Sequence, residues 1–361
     1  MTSSAGTSVL VVGGAGYIGS HTCKALAHNG FNPITYDNLS HGHRWAVRWG
    51  PMVHGELADE TLLEETLRRF DVQAVVHFAA YAYVGESMTD PGKYFENNVS
   101  NTLKLLRVMH SQGVDRIVFS SSCATYGIPD SLPISESHAQ APVNPYGESK
   151  LFVEKVLDWY DVAHNLRSVA LRYFNAAGAD PHGLIGEHHD PETHLIPLAI
   201  QAALGQCPHL DIYGTDHPTE DGTAVRDFVH VTDLASAHVS ALEYLIAGGA
   251  TDSMNLGTGR GHSVSEVVSM IERISGYTVP VREAPRRPGD PPQLIADPRK
   301  AKSVLDWTPK LSSLETIIRT AWQWHASVEA RMEEQDLTGQ FRGFTERRAP
   351  LETKPHLGDI N

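Results

Sequence analysis

Cysteine and basic residues are scarce in this sequence, and long apolar runs are absent. The three cysteines, Cys23, Cys123 and Cys207, are widely spaced and odd in number, which argues against a disulfide framework or a cysteine-based metal site. With 29 basic against 43 acidic residues, the net charge of −14 would repel an extended polyanion such as DNA. The apolar run at residues 9–12 is far too short to span a membrane. We therefore expect no nucleic-acid, membrane or metal partner.

The amino-terminal segment has no recognisable secretory signal, because it lacks a basic start and a long apolar core before residue 9. We therefore expect a cytoplasmic protein. Its 361 residues, of which 41% are apolar, suffice for a large core and one to three domains.

Buried-strand patterns alternate with helical patterns in the first half of the chain. Short apolar segments occur at 9–12, 33–36, 74–78, 116–120 and 168–172, and helices are predicted over 18–29 and 94–111. This alternation is typical of βαβ units. It predicts an α/β protein with a Rossmann-type, doubly wound parallel sheet.

A glycine-rich turn lies between the first strand and the first helix. Gly13, Gly16 and Gly19 have the spacing G-x-x-G-x-x-G, which permits a tight turn and lets a pyrophosphate approach the amino terminus of the helix. Asp37 ends the second strand, where its carboxylate can accept hydrogen bonds from ribose hydroxyls and would repel a 2′-phosphate. These features predict a bound dinucleotide, NAD rather than NADP, although Asp37 could instead cap a turn.

The second half of the chain differs in composition and predicts a second lobe. Gly, Pro and His are frequent from residue 179 to residue 227, and strand and helix patterns return afterwards. Helices are predicted over 196–206, from Val264, and over 314–328. We predict an NAD-binding domain (1–175 plus 226–260), a smaller mixed α/β substrate-binding lobe (176–225 plus 261–328) and a loosely held tail extension (329–361).

A tyrosine and a lysine are spaced for catalysis at the start of another predicted helix. Asn144 and Pro145 suit the amino terminus of this helix, and Tyr146 and Lys150 share one face because they are four residues apart. A free phenol has a pKa of about 10, and we expect the ammonium and a positive nicotinamide ring to lower it. Ser122 lies in a serine segment at the carboxyl end of the strand predicted over 116–120, where the sheet faces the ligand crevice. Taken alone, each pattern also fits a surface pair or a turn.

Further motifs occur in order from about Val9 to Trp324. They include Gly-Gly-Ala-Gly-Tyr-Ile-Gly from Gly13, His-Phe-Ala-Ala from His77, Asn-Pro-Tyr-Gly-Glu-Ser-Lys from Asn144, Leu-Arg-Tyr-Phe-Asn-Ala-Ala-Gly from Leu171 and Arg-Pro-Gly-Asp from Arg287. In these motifs the chain resembles the extended short-chain dehydrogenase/reductase family, and within it the nucleotide-sugar 4-epimerases.

The resemblance implies an NAD-dependent isomerase that interconverts UDP-glucose and UDP-galactose. In such an enzyme Tyr146 takes the proton of the sugar 4-hydroxyl while a hydride leaves C4 for NAD⁺, and Ser122 assists. Lys150 is implied to bind the nicotinamide ribose and to tune Tyr146. The 4-keto sugar then rotates in the pocket and receives the hydride on its other face.

The resemblance also implies the residues of both binding sites. Those of the cofactor site are Gly13, Gly16, Tyr17, Ile18, Gly19, Asp37, Asn38, Glu56, Leu57, Phe78, Ala79, Asn97, Tyr146, Lys150 and Phe174. Those of the substrate site are Ser122, Asn175, Leu195, Tyr213, Arg226, Arg287, Asp290 and Leu294. Core packing explains the apolar members almost as well, and surface ion pairs could explain the arginines.

Two departures and several alternatives stay open. Ala82 stands where related bacterial enzymes have a lysine near the cofactor, and Leu294 is intermediate in size at a position that limits the sugar. UDP-pentose, UDP-N-acetylhexosamine and UDP-uronate 4-epimerases share the same chemistry. A nucleotide-sugar 4,6-dehydratase would normally have carboxylates in place of Cys123 and Ala124. A non-catalytic NAD(H)-sensing protein would not need the complete set of serine, tyrosine and lysine.

The resemblance further implies a homodimer. Its two-fold axis would lie between the helices near residues 94–111 and 146–163. The apolar periodicity of both helices fits this contact, and equally fits burial against the sheet.

Overall fold

The central layer is a parallel β-sheet built from short apolar segments. The computed structural model describes residues 6–287 and 290–338, with side chains up to residue 327. The strands of this layer are β1 (Ser8–Val12), β2 (Asn32–Asp37), β3 (Met52–His54), β4 (Val72–His77), β5 (Arg116–Ser122), β6 (Arg167–Tyr173) and β11 (Asp252–Leu256). Within the described residues these seven pair in the order β11-β6-β5-β4-β1-β2-β3. The predicted Rossmann-type sheet is confirmed.

Helices cover both faces of this sheet. They are α1 (Tyr17–His28), α8 (Val231–Ile246) and α10 (Arg299–Leu305) on one face, and α2 (Glu60–Arg69), α5 (Asn101–Ser111) and α6 (Pro145–His164) on the other. In β1, Val9 and Val11 pack with the first group, while Leu10 and Val12 pack with the second. Successive side chains of a strand point to opposite faces, so an uninterrupted apolar strand needs both layers.

The helix predicted over residues 94–111 is interrupted in the structure. It begins as α4 (Pro91–Tyr94), continues as a π-helical segment (Phe95–Ser100), and becomes regular only in α5. The short helix α3 (Val84–Thr89) precedes it. Neither α2 nor β3 was predicted, because β3 has only three residues and α2 is dominated by charged side chains.

The remaining elements form smaller sheets and a third apolar cluster. The strands are β7 (Asn175–Ala177), β8 (Leu210–Tyr213), β9 (Val225–Arg226), β10 (Phe228–His230), β12 (His262–Ser263), β13 (Val281–Ala284) and β14 (Gln293–Leu294), and the helices are α7 (Leu195–Ala203), α9 (Val264–Ser275) and α11 (Leu314–Thr338). The strands pair as β10-β7, β12-β9-β14 and β13-β8. One apolar cluster contains side chains of α7, α9 and α11. The assignment of this region to substrate binding stays a prediction.

Local sequence signals fix the ends of the helices that matter here. The side chain of Asn144 accepts a hydrogen bond of 2.8 Å from the N–H of Gly147 at the start of α6, and Pro145 occupies the first helical position. Asn165 ends α6 with a φ of 55°, in the left-handed region that asparagine tolerates. The predicted start of this helix is confirmed.

The last described helix is longer than predicted. It runs from Leu314 to Thr338 rather than ending near Val328, so the proposed tail extension begins inside it, and residues 339–361 lie outside the described residues. The chain up to His325 forms one compact unit, and the described residues from Ala326 onward are helical. None of the described helices combines the length and the apolar character needed to cross a membrane.

Candidate active site

The predicted site residues gather at one edge of the central sheet because its strands are parallel. The glycine turn follows β1, Asp37 ends β2, Phe78 follows β4, Ser122 ends β5, and Phe174 follows β6. The carboxyl ends of parallel strands lie at the same edge, where open α/β sheets form their ligand crevice.

The glycine turn is shaped by close backbone contacts. Gly13 has a φ of +82°, and a Cβ atom there would lie 2.7 Å from the backbone N of Ala79. A Cβ atom at Gly19 would lie 2.1 Å from the carbonyl oxygen of Gly13, so a side chain at either position would fill the turn. Gly16 is the N-cap of α1, and none of the described side chains caps this helix. The turn therefore fits a pyrophosphate beside free N–H groups.

Asp37 is held by the turn that it faces. Its two carboxylate oxygens accept hydrogen bonds from the N–H of Ala15 (2.9 Å) and of Leu39 (2.8 Å). Burial raises the pKa of this carboxyl group, and these two hydrogen bonds oppose the rise. Each oxygen keeps a second lone pair for a ribose hydroxyl. Capping of a turn and ribose binding are thus compatible functions of the same side chain.

The other predicted cofactor residues surround this edge. Asn38 donates hydrogen bonds to both carboxylate oxygens of Glu56, at 3.1 and 3.0 Å, and Leu57 is buried in the sheet core. The remaining residues make the following contacts: Tyr17 donates to the carbonyl of Gly178 (2.5 Å), Ile18 of α1 packs against the core, Phe78 packs 4.7 Å from the His238 ring, Ala79 donates to the carbonyl of Val12 (3.1 Å), Asn97 of the π-helical segment donates to Asn98 (3.0 Å), and Phe174 is buried. Their contact with a cofactor stays a prediction.

The structure brings Ser122, Tyr146 and Lys150 together. The Ser122 hydroxyl lies close enough to the phenol of Tyr146 to favour the phenolate. The Lys150 ammonium lies 5.9 Å from the centre of the Tyr146 ring. It donates a hydrogen bond of 2.7 Å to the carbonyl oxygen of Ser120, so α6 is tied to the end of β5.

Burial opposes the lowered pKa that the sequence predicts for the Tyr146 phenol. Burial raises the pKa of Tyr146 to about 12, and the nearby Ser122 hydroxyl opposes this rise without reversing it. Burial also lowers the pKa of Lys150 to about 7, against the attraction of Glu154. The side chains alone therefore do not make the phenol acidic, because the cost of burying the phenolate charge exceeds the stabilisation that the Ser122 hydroxyl provides.

A buried ion pair fixes α6 behind these residues. Arg172 of β6 donates hydrogen bonds to Glu154 of α6, the shortest being 2.6 Å, and the two side chains are only 6% and 8% exposed. Arg172 also donates to the Tyr126 hydroxyl (2.9 Å), and Ser121 donates to Glu154. Glu154 lies one helical turn after Lys150, so this network positions the lysine.

The predicted substrate residues are assembled in part. Arg226 and Asp290 form an ion pair of 2.5 Å, and Leu294 pairs with Arg226 between β14 and β9. The guanidinium of Arg287 stacks on Tyr213, 3.9 Å from its ring centre. The two remaining residues lie at the starts of elements: Asn175 at the first position of β7, where its N–H donates to the carbonyl of Asp227 (3.0 Å), and Leu195 at the first position of α7.

Two supporting groups were not identified from the sequence. Asp227 is fully buried and accepts hydrogen bonds from Thr258, Gly259 and Ala296, which fixes the backbone next to Arg226. The Glu154–Arg172 pair was also missed. The sequence could have indicated this pair, because Arg172 lies inside the apolar strand β6 and buried charges are almost always paired.

Comparison with known proteins identifies close relatives. Residues 9–257 match the NAD-dependent epimerase/dehydratase family. The chain is 53% identical over 322 residues to a UDP-glucose 4-epimerase of Rhizobium leguminosarum bv. trifolii, covering 89% of this chain and 98% of the relative. A crystal structure of UDP-glucose 4-epimerase from Brucella ovis in complex with NAD is 55% identical, with a TM-score of 0.86 and coverage of 88% and 98%. One from Bifidobacterium longum with NAD⁺ and UDP is 37% identical, with a TM-score of 0.83 and coverage of 89% and 98%.

The buried ion pair can be tested by its effect on stability. Glu154→Gln leaves the Arg172 charge buried without its partner, and we expect the free energy of unfolding to fall by about 3–5 kcal/mol. Urea denaturation measures this loss. The matched control Glu60→Gln removes the partner of Arg107 in an exposed pair and should cost about 0–1 kcal/mol. Equal losses in the two variants would contradict the assignment.

Proposed function

The chain belongs to the NAD-dependent epimerase/dehydratase family, and on that premise we propose that it is an isomerase that interconverts UDP-glucose and UDP-galactose. The observation that carries this proposal is the group formed by Ser122, Tyr146 and Lys150, placed at the edge of the sheet that holds the glycine turn. The sugar is oxidised transiently at C4, the 4-keto sugar rotates, and reduction from its other face inverts the hydroxyl.

NAD, when bound, supplies a hydride acceptor and later a hydride donor, and its oxidised ring is positively charged. The residues that would hold it are those of the glycine turn, together with Asp37 at the ribose. The backbone contacts at Gly13 and Gly19 support this fit, because any side chain there would occupy the turn.

Tyr146 is proposed as the group that accepts and returns the proton of the 4-hydroxyl. Burial raises its pKa to about 12, so it needs added positive charge to act as a base near neutral pH. Lys150 and the oxidised cofactor are the two candidates for that charge. Ser122 lies beside the phenol, and its hydroxyl can contact both the phenol and the sugar oxygen.

The nucleotide part of the substrate is proposed to bind on the smaller sheets. Arg226 and Arg287 suit the diphosphate, because guanidinium groups bind phosphate oxygens through two parallel hydrogen bonds. Their present partners, Asp290 and the Tyr213 ring, hold both guanidinium groups in place. Leu195, Asn175 and Leu294 complete the proposed set. A firm hold on the nucleotide leaves the sugar free to rotate.

A cytoplasmic location is proposed as well. The three cysteines are free thiols, of which Cys23 and Cys123 are buried. Persistent disulfides are typical of oxidising compartments, and free thiols are the usual state in the cytoplasm.

A panel of UDP-sugars tests the proposed reaction. We expect the purified chain to carry NAD and to interconvert UDP-glucose and UDP-galactose without added cofactor, as measured by chromatography of the products. UDP-pentoses, UDP-uronates and UDP-N-acetylhexosamines in the same panel define the sugar that Leu294 admits. Inactivity on every member of the panel would refute the proposed reaction.

The role of Tyr146 can be tested separately. Tyr146→Phe removes the proton acceptor but keeps the ring, so we expect retained NAD and a kcat lowered by about 10²–10⁴-fold. The matched control is Tyr160→Phe, because Tyr160 lies on the same helix and contacts His164 through its ring. The measurements are the steady-state kinetics and the NAD content of both variants. An unchanged kcat in Tyr146→Phe would require a different base.

The exposed apolar face of α6 supports the proposed homodimer. Trp159 is 71% exposed and Val162 is 78% exposed, and Phe152 lies exposed on the same helix. Met88 and Phe95, from the helices that pack beside α6, add to the patch. A contiguous apolar surface of this kind marks a protein interface, and a second copy of the chain is the proposed partner.

A charge placed in this face tests the homodimer. Val162→Glu would bury a carboxylate against its copy near the two-fold axis, so we expect the dimer to dissociate at least about tenfold more readily. The control Val281→Glu changes an exposed valine on β13 and should leave the dimer intact. Sedimentation velocity over a dilution series measures both. A monomeric wild type would exclude this interface.

A further inference from the structure

The loop between β7 and α7 gathers four side chains that the proposed reaction does not use. The side chains are those of Glu187, His189, Glu192 and His194. Each offers one ligand-type atom, and these four atoms all lie within 4.8 Å of one another. Two imidazole nitrogens and two carboxylate oxygens form a ligand set that divalent transition metals accept, above all Zn²⁺.

The separations between these atoms resemble the edges of a zinc tetrahedron. His189 Nδ1 lies 3.3 Å from Glu187 Oε1 and 3.7 Å from Glu192 Oε1. His194 Nδ1 lies 3.8 Å from Glu192 Oε1. Zinc bonds of about 2.0–2.1 Å in tetrahedral geometry place ligand atoms roughly 3.4 Å apart. His194 is hydrogen-bonded more closely to Glu187, so these two atoms must separate to admit an ion.

The carboxylates of Glu187 and Glu192 are buried, and among the described residues neither is paired with a lysine or an arginine. Their side chains are 4% and 5% exposed. His189 Nδ1 is inaccessible to solvent and makes no hydrogen bond of acceptable geometry. A metal ion bound here would accept the lone pair of this nitrogen and would neutralise the buried carboxylates.

Neighbouring groups already orient the ligands. Trp324 donates a hydrogen bond of 2.9 Å to the carbonyl of Glu187. A Cβ atom at Gly186 would lie 2.4 Å from the Trp324 ring, so the loop is pressed onto α11. The N–H groups of Thr193 (2.7 Å) and His194 (2.9 Å) both donate to Glu192 Oε1. These hydrogen bonds hold the Glu192 carboxylate in the loop, and a metal ion would bind it through Oε2 or displace them.

We propose that Glu187, His189, Glu192 and His194 form a binding site for one divalent transition-metal ion of the Zn²⁺ type. Four protein ligands fill a tetrahedral site, so the ion is structural and does not take part in the reaction. It would fix the loop that leads into α7, next to the Tyr17 ring, which meets His189 edge-on at 6.4 Å. Cysteine spacing gave no indication of this site, because none of its ligands is cysteine.

Metal binding to the full-length chain tests the site without reference to activity. The chain is prepared without a histidine tag, treated with a chelator, and dialysed against increasing Zn²⁺. Zinc per chain and the melting temperature are then measured. We expect one tightly bound ion per chain and a melting temperature that rises with zinc concentration. No tightly bound zinc in the wild type would overturn the proposal.

Matched variants assign the ion to these ligands. His189→Asn and Glu187→Gln should each weaken zinc binding at least about 100-fold, and the half-exposed His194→Asn should do the same with the least risk to folding. The first control, His182→Asn, changes an exposed histidine in the same loop and should keep the ion. The second, His43→Asn, disrupts the neighbouring His43–His188 contact of 3.2 Å. Loss of zinc in either control, or its retention in all three ligand variants, would refute the assignment.

Discussion

The buried ion pair between Glu154 and Arg172 is the interaction on which the geometry of the active site depends. It joins α6 to β6 in a region that excludes water, one helical turn beyond Lys150. Because a buried charge without its partner is very costly, the helix cannot rotate or slide without loss of stability. The ammonium of Lys150 therefore stays at the carbonyl of Ser120, and Tyr146 stays beside Ser122.

Burial acts in opposite directions on the two reactive groups. It raises the pKa of Tyr146 and lowers that of Lys150, because in each case it disfavours the charged form. The same low-dielectric surroundings strengthen the electrostatic interaction of Tyr146 and Lys150 with any further charge placed beside them. In the proposed reaction, the phenol becomes a base when positive charge from Lys150 or from an oxidised cofactor lies beside it. The part of this charge that comes from the cofactor links proton transfer to the redox state of the site.

Much of the fold could be predicted from the sequence, because its parallel strands are apolar on both faces and their ends carry glycine or polar residues. The start of α6 followed from Asn144 and Pro145, which act through local backbone chemistry. The short strand β3, the charged helix α2 and the π-helical segment at residues 95–100 did not follow. The conformations of β3 and of the π-helical segment depend on neighbours that are distant in the sequence. The helix α2 does show helical periodicity, since Leu63 and Leu67 lie four residues apart and are both buried.

The sequence by itself determined the sheet and the glycine turn, because these depend on local spacing and on the order of strands. Its resemblance to a known family also indicated Ser122, Tyr146 and Lys150 as candidates. Only the tertiary structure decided how the groups around them are charged and paired. Burial raises the pKa of the Tyr146 phenol and so opposes the expected shift. Folding also brought Arg172 to Glu154 and gathered two histidines around buried carboxylates. Such effects arise from dielectric surroundings and three-dimensional distance, which the order of residues does not state.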